Sequence, residues 1–270
     1  MHADNILVVT RYGSDKAIEI ATGVVDILND ILGAKIYMVR PSRIEGVMSI
    51  DEGDVKIMKF DLAVTIGGDG TVLRASRWLS NPTPIFAVKL PSSKGILAEV
   101  TSEEVYSALP RLAEDSYYIE RRMRLITRVD GNTLQPSLNE VFIVRDTLTK
   151  TPTYSISMLN GELSYRMDGI IVATPTGSTG HSFSLNGPIV YESMQAIILT
   201  PMAPITKLSS LVMPPDITVT IRCSTDVNVV IDGQVVHRVK QGSNIEVSRY
   251  EHDAVFLRFN RRGLRQIRNV

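Results

Sequence analysis

At 270 residues and 29.8 kDa, with 44% hydrophobic and 21% charged residues and a mean hydropathy of +0.07, the chain has the make-up of a globule of one large or two modest domains, which excludes disorder, collagen-like repeats and coiled coil. Lys plus Arg number 29, as do Asp plus Glu, so no net field attracts polyanions and no nucleic-acid partner is expected. The single cysteine, Cys223, has no Cys or His close by in sequence, so neither a disulfide nor a cysteine metal site is expected, which fits a cytoplasmic location; no export signal is expected from Met1-His2-Ala3-Asp4-Asn5, which has neither a basic nor a long apolar run, and no membrane span is expected because Gln195, Thr200, Pro201 and Pro204 break the stretch from Met194 to Ile205.

Ile6 to Thr10 reads as a strand. Gly13-Ser14 then opens a helix whose Ala17, Ile18, Ala21, Val25, Leu28 and Leu32 recur at spacings of three and four up to Gly33. Lys35 to Val39 and Asp61 to Ile66 read as strands, Thr71 to Leu79 as a helix, and Ile85 to Val88 as a fourth strand after the breaker Asn81-Pro82-Thr83-Pro84. Thr101-Ser102-Glu103-Glu104 carries a capping-box signature for a helix running to about Ala113. Strands alternating with helices need crossover connections, so the first domain, residues 1–115, is expected to be α/β with a parallel sheet.

After about Ser116 the pattern becomes β-rich. Alternating runs such as Tyr154 to Leu159 and Val227 to Ile231 lie beside Asp130-Gly131, Asn160-Gly161 and Asp232-Gly233, dipeptides suited to tight hairpins. A second domain over 116–259, mostly antiparallel, is expected. The tail 260–270, carrying four Arg, is expected to return to the first domain.

The sharpest local signal is Gly67-Gly68-Asp69-Gly70-Thr71, between the apolar strand and the following helix. Its glycines permit a tight turn and close approach of a ligand, and the helix offers free N–H groups to an anion, so a phosphate is the expected guest. It is neither a Walker loop nor a G-x-G-x-x-G fingerprint. A carboxylate beside phosphates is unfavourable unless a cation or a hydroxyl proton engages it, which makes Asp69 a candidate for orienting or deprotonating an acceptor hydroxyl. The simpler alternative is Asp69 as a helix cap. Arg74, one turn on from Gly70, either faces the same ligand or is a solvated charge.

The run from Asp168-Gly169 through Thr174-Pro175-Thr176-Gly177-Ser178-Thr179-Gly180-His181-Ser182-Phe183-Ser184 joins an apolar strand to a loop dense in hydroxyls and glycine. Such a loop suits a base edge and a ribose, or is a polar turn. Taken in order, Gly67–Thr71, Asn139-Glu140, Asp168-Gly169 with the TPTGSTG run, and Asp232-Gly233-Gln234 resemble the motifs of the NAD kinase family, which phosphorylates the 2′-hydroxyl on the adenosine ribose of NAD. The glycine loop alone is also similar to that of diacylglycerol and sphingosine kinases and of 6-phosphofructokinases; a lipid kinase and a non-catalytic NAD(P)-binding regulator are the rival readings.

The resemblance implies a Rossmann-like α/β domain followed by a β-sandwich-like domain, with transfer between the two. Asp69 matches the family's proton acceptor, and Gly67, Gly68, Gly70 and Thr71 its phosphate side. Asn139 and Glu140 match the pair holding the NAD ribose. Arg166 and Asp168 match residues contacting the dinucleotide, with a cross-strand ion pair as the alternative. Thr176, Thr179, Gly180, Ser182 and Ser184 match the loop at the adenine end. His181 stands where the family has a stacking tyrosine, offers less area and can take up a proton. Ala203 matches a small pocket-lining position, or is ordinary packing; Gln234 follows the Asp232-Gly233 turn. The segment from Lys89 to Leu97 departs from the family pattern, and Lys89 or Lys94 is available to neutralise donor phosphates. The resemblance also implies Mg²⁺ held mainly through donor phosphates rather than by a protein metal site, ATP or polyphosphate as donor, and a homodimer or homotetramer.

Overall fold

In the computed structural model, which describes residues 1–42, 44–91, 93, 95–159 and 161–260, the Ser14 hydroxyl caps the first long helix by accepting the Ala17 N–H at 3.2 Å. Gly33, at φ +62°, closes the helix by donating its N–H to the Asn29 carbonyl. This helix, Asp15–Leu32, buries Ala17, Ile20, Ala21, Val24, Val25 and Leu28; the predicted Ile18 and Leu32 are half-buried at the stripe's margin. The chain divides into two compact units, one of Met1–Arg121 with the strand Ala254–Arg258, the other of Arg122–Asp253.

The first unit carries an eight-stranded sheet. Met48–Ile50, Lys35–Val39, Asn5–Thr10, Leu62–Gly67 and Pro84–Lys89 run side by side and parallel, and the short Val100–Thr101 also pairs with Pro84–Lys89. Leu62–Gly67 is buried along its whole length, as expected for a strand covered on both faces. The strand Met48–Ile50 and the helix Glu52–Ile57 give no apolar period in the sequence; a capping box between Asp51 and Asp54 starts that helix. The helix expected to reach Ala113 is two short ones, Val105–Ala108 and Pro110–Ala113, because Pro110 has no N–H to continue the first.

The boundary also differs from the expected 115/116. Units divide after Arg121, and Ala254–Arg258, read from sequence as the end of the antiparallel domain, pairs parallel with Pro84–Lys89 in the register Val255↔Pro84 and Phe256↔Ile85. All five of its residues are buried, and an apolar run shielded on both faces belongs in the interior of a parallel sheet. Of the tail 260–270, Asn260 stays with the first unit through the Tyr118 hydroxyl, which donates to its carbonyl at 2.9 Å; positions 261–270 lie outside the described residues.

The second unit is a sandwich of two six-stranded antiparallel sheets. One places Leu211–Met213, Ile197–Met202, Gly169–Ala173, Glu140–Arg145, Val227–Ile231 and Val235–Val239 in order. The other places Gly161–Arg166, Thr153–Met158, Val219–Cys223, Ile245–Arg249, Leu125–Val129 and Asn132–Thr133. Their facing residues, Val141, Ile143, Ile170, Val172, Val229, Ile156, Ile221 and Val247 among them, form one core. Asp130-Gly131 and Asp232-Gly233 have φ of 48°, 83°, 49° and 64°, the paired positive values that tight hairpins require. The outer side of Gly169–Ala173 is also covered, with Ile171, Ala173 and Ile198 packing against Val190, Ala196 and Leu185. The hydroxyl-rich segment thus leaves a strand buried on both faces.

Cys223 lies in the sandwich core, 5% exposed, and burial pushes its thiol up to about 12. Iodoacetamide at about pH 8 is expected to leave the native protein unlabelled and to modify it stoichiometrically in denaturant. Stoichiometric labelling of the folded protein would contradict this placement.

Candidate active site

The strand Leu62–Gly67 ends at the carboxyl edge of the parallel sheet, and the helix Asp69–Trp78 starts at once, with Gly68 as its cap. Asp69 is therefore the first helical residue and not the cap. Its two oxygens each accept one backbone N–H at 3.0 Å: Oδ2 from Ile96 and Oδ1 from Leu97. The segment that departs from the family pattern is thus what holds the carboxylate. A carboxylate has about four lone-pair directions, so two amides leave acceptor capacity on both oxygens. Burial raises the Asp69 pKa above the ordinary range, partly offset by the Leu97 and Ile96 amides and by the positive charges of Lys89 and Arg258. A carboxylate made more basic but held in one orientation is suited to taking a proton.

Gly67 has no room for a side chain, since a Cβ there would collide with the Thr71 side chain and approach the Arg11 Cβ at 3.3 Å. Thr71 is accordingly buried, turned against Gly67, whereas Gly70 is exposed. Arg74, read as either facing the glycine loop's ligand or a solvated charge, is half-buried, donates to the Thr10 carbonyl at 2.6 Å and lies 3.6 Å over the Tyr12 ring. It helps line a cavity of about 90 Å³ with Thr10, Tyr12, Ser14 and Trp78, which Asp69 does not line. Lys89 runs beside Gly95, whose missing Cβ makes way for the lysine stem; Lys94 lies outside the described residues.

In the second unit Asp232 organises the other constellation. Its carboxylate accepts the backbone N–H groups of Leu138, Asn139 and Glu140 at 3.2, 2.8 and 3.3 Å, while its own N–H returns to the Glu140 carbonyl at 3.0 Å. The Asn139 carbonyl accepts the Thr174 N–H, and the Thr174 hydroxyl donates to Leu138 at 2.6 Å. Gly177 sits directly on the Asn139 backbone, where any Cβ would overlap it, and a Cβ on Gly180 would come within 3.3 Å of Glu140 Oε2. Asn139, Glu140, Gly177 and Gly180 therefore meet. Glu140 is 5% exposed, and its Oε2 has no hydrogen-bond partner among the described residues. Burial, aided by the charge of Asp232, pushes its carboxyl up to about 8, so near neutral pH it is mostly a hydrogen-bond donor. A buried polar atom left unmatched by the protein is one that a ligand hydroxyl can satisfy.

Two family models match the chain: the ATP-NAD kinase N-terminal domain over residues 6–117 and the ATP-NAD kinase C-terminal domain over 138–259. The chain belongs to the NAD kinase family. An NAD kinase of Thermococcus sibiricus is 31% identical over 262 residues, covering 94% of each chain. The solved NAD kinase of Archaeoglobus fulgidus, in complex with ATP, is 26% identical with a TM-score of 0.76 over 98% of this chain and 96% of that one. Yeast NADH kinase complexed with NADH, at 20% identity, shares the fold with a TM-score of 0.86 over 96% of this chain and 84% of that one. The expected α/β plus antiparallel-β architecture is thus that of the family, and this NAD kinase is a phosphotransferase.

The kinase's remaining candidate residues are placed unequally. His181 opens the short helix His181–Ser184, exposed, with its ring edge-on to Phe142 at 4.8 Å. Thr179 and Gly180 are half-buried beside it, Ser184 is exposed and Thr176 is buried. The Ser182 hydroxyl is turned inward, 2.8 Å from that of Thr200. Arg166 is exposed. Asp168 pairs with Arg145 at 2.9 Å, so the cross-strand alternative holds for Asp168 with a different arginine. Ala203 is exposed at φ 45°, and Gln234 is exposed after the hairpin. Sequence reading missed Asp232 as the tether of Asn139-Glu140, Arg145 as the partner of Asp168, and the Ile96 and Leu97 amides; each partnership spans a long sequence separation and leaves no spacing signal. Among the described residues no group of three or more His, Cys, Asp or Glu could hold a metal ion, and no helix is long and apolar enough to cross a membrane.

Glu140 gives a pH prediction. Its carboxyl is raised in the fold from 4.5 to about 8, so its favourable contribution to stability is complete below about 4.5 and is lost as pH rises through about 8. Glu140→Gln is expected to flatten the fall in Tm across that window and to melt several degrees above the parent at its alkaline end. Parallel Tm–pH curves for the two proteins would contradict the buried, unpaired placement.

Proposed function

We propose that this kinase moves the terminal phosphoryl group of ATP or polyphosphate to the 2′-hydroxyl on the adenosine ribose of NAD, with Asp69 as the proton acceptor. In that step the ribose oxygen forms a bond to phosphorus, the donor's terminal P–O bond breaks, the hydroxyl proton passes to Asp69, and ADP or a shortened polyphosphate leaves. Gly67 and Gly68 let the chain turn into the helix whose free N–H groups face the anion, and Lys89 adds positive charge. Asn139 and Glu140 hold a ribose, and Thr179, Gly180 and His181 lie at the base end of the dinucleotide. Thr176 and Ser182 support that loop from within, and Arg166, Asp168, Ala203 and Gln234 are assigned to its margin.

The observation that carries the reading is the pair of 3.0 Å amide contacts fixing a half-buried, more basic Asp69 at the sheet's carboxyl edge. ATP in the Archaeoglobus relative supports the donor. Mg²⁺ carried on the donor phosphates would supply charge neutralisation there. A cytoplasmic homodimer or homotetramer completes the proposal. Purified protein incubated with NAD, Mg²⁺ and either ATP or polyphosphate is expected to yield NADP, read by an NADP-specific dehydrogenase, and chelation of Mg²⁺ to abolish it without lowering Tm. Calorimetric NAD binding with no NADP from either donor would instead identify a binding regulator.

A further inference from the structure

Arg258 is the last residue of the strand that returns to the parallel sheet, far in sequence from the glycine loop. Its side chain is fully buried. Nη1 donates to the Leu97 carbonyl at 2.7 Å, Nε contacts Glu120 Oε2 at 2.6 Å, and Glu99 Oε2 lies 3.6 Å from Nη1. Leu97 is also the residue whose N–H reaches Asp69 at 3.0 Å. One residue of the loop is thus gripped at its carbonyl by a buried guanidinium and at its amide by the candidate base.

We propose that Arg258 is a positioning residue for Asp69, acting through Leu97. The proposal rests on the assignment of Asp69 as proton acceptor. Burying an arginine costs several kcal/mol of hydration, and an apolar side chain would pack the same space without that cost. Glu99 and Glu120 offset the charge and fix the plane of the guanidinium. Glu99 in turn accepts the Phe259 and Asn260 N–H groups at 2.9 and 3.2 Å, which locks the strand end from which Arg258 projects. The Leu97 carbonyl is held in a set place, so its amide and that of Ile96 meet the two Asp69 oxygens together. Arg258 also contributes positive charge that favours the ionised form of Asp69, the form that accepts a proton. No motif carries this arrangement, since it joins three distant segments, around Leu97, Glu120 and Arg258, to the glycine loop.

The test uses the full chain and compares Arg258→Lys, Glu120→Leu, Asp69→Asn and the doubles Arg258→Lys/Asp69→Asn and Glu120→Leu/Asp69→Asn in single-turnover NADP formation, with rates normalised to NAD-binding sites. Arg258→Lys keeps the charge and loses the planar fork. It is expected to lower the rate per site about 10- to 100-fold, with KM for NAD and ATP within about twofold, since misplacement by about 1 Å carries a penalty of that size. Glu120→Leu frees one side of the guanidinium on a partly exposed residue. It is expected to act in the same direction by about threefold to tenfold, and it carries the test where Arg258→Lys fails to fold. In the Asp69→Asn background neither substitution is expected to lower the rate further, because its effect passes through the missing carboxylate. A loss that recurs in full in that background, or wild-type rates per site in the folded single variants, would overturn the proposal. Wild-type turnover in Asp69→Asn alone would show instead that the assignment of the base has failed.

Discussion

Asp69→Asn is expected to lower turnover by about 10²- to 10⁴-fold, the span that a positioned general base contributes, while leaving KM for NAD within about twofold. The protein should remain folded but not unperturbed. An amide has one oxygen where the carboxylate has two, and the native carboxylate answers the Ile96 and Leu97 N–H groups with one oxygen each. The asparagine NH₂ must then face one of those donors, leaving a partly buried amide unpaired at a penalty of about 1–3 kcal/mol. A lower Tm accompanying a large loss of turnover is thus the expected pair of results, read by thermal melting and by NADP formation. A fall in Tm with turnover preserved would reduce Asp69 to a loop clasp.

Gly177→Ala is the second large effect, and it should appear in binding. The new Cβ would fall on the Asn139 backbone, meeting its carbonyl and Cα. That backbone has nowhere to go: the Asn139 N–H is tied to Asp232 at 2.8 Å and its carbonyl accepts the Thr174 N–H at 2.9 Å. Overpacking against an immobile neighbour costs about 1–3 kcal/mol, and the displacement reaches Glu140, the next residue. NAD affinity measured by calorimetry is expected to fall more than about tenfold, the equivalent of about 1.4 kcal/mol. Gly53→Ala is the matched control, because Gly53 lies in the helix Glu52–Ile57 with open space where its Cβ would stand; it should be neutral or slightly stabilising. Equal losses in both would remove the case for a specific contact.

These two sites show what the sequence discloses and what it withholds. The glycine loop was legible because its chemistry is local: strand, turn and helix lie next to one another, and glycine spacing reports a backbone with no room for side chains. The long helix Asp15–Leu32 and the hairpins at Asp130 and Asp232 were legible for the same reason, since caps and positive φ belong to single residues or pairs. Asp232 was read only as a turn residue. Its second task, collecting three N–H groups some 92 to 94 positions away, depends on Glu140–Arg145 pairing with Val227–Ile231, which no local pattern states. The strand Ala254–Arg258 was assigned to the wrong sheet, because Ala-Val-Phe-Leu reads equally well as the end of a β domain or as a buried parallel strand. For Arg74 helical spacing gives a direction but not its partners, the Tyr12 ring and the Thr10 carbonyl, which lie on a separate segment of the chain.

The most direct measurement is the pH dependence of single-turnover NADP formation in the parent chain and in Asp69→Asn. With a half-buried Asp69 of raised pKa as the proton acceptor, acidification protonates the base, so the parent rate should fall along a limb lying above the ordinary aspartate range of about 3.9, and the slow residual rate of Asp69→Asn should be flat across it. An Asp69→Asn protein that turns over at the parent rate and shows the same acidic limb would contradict the account.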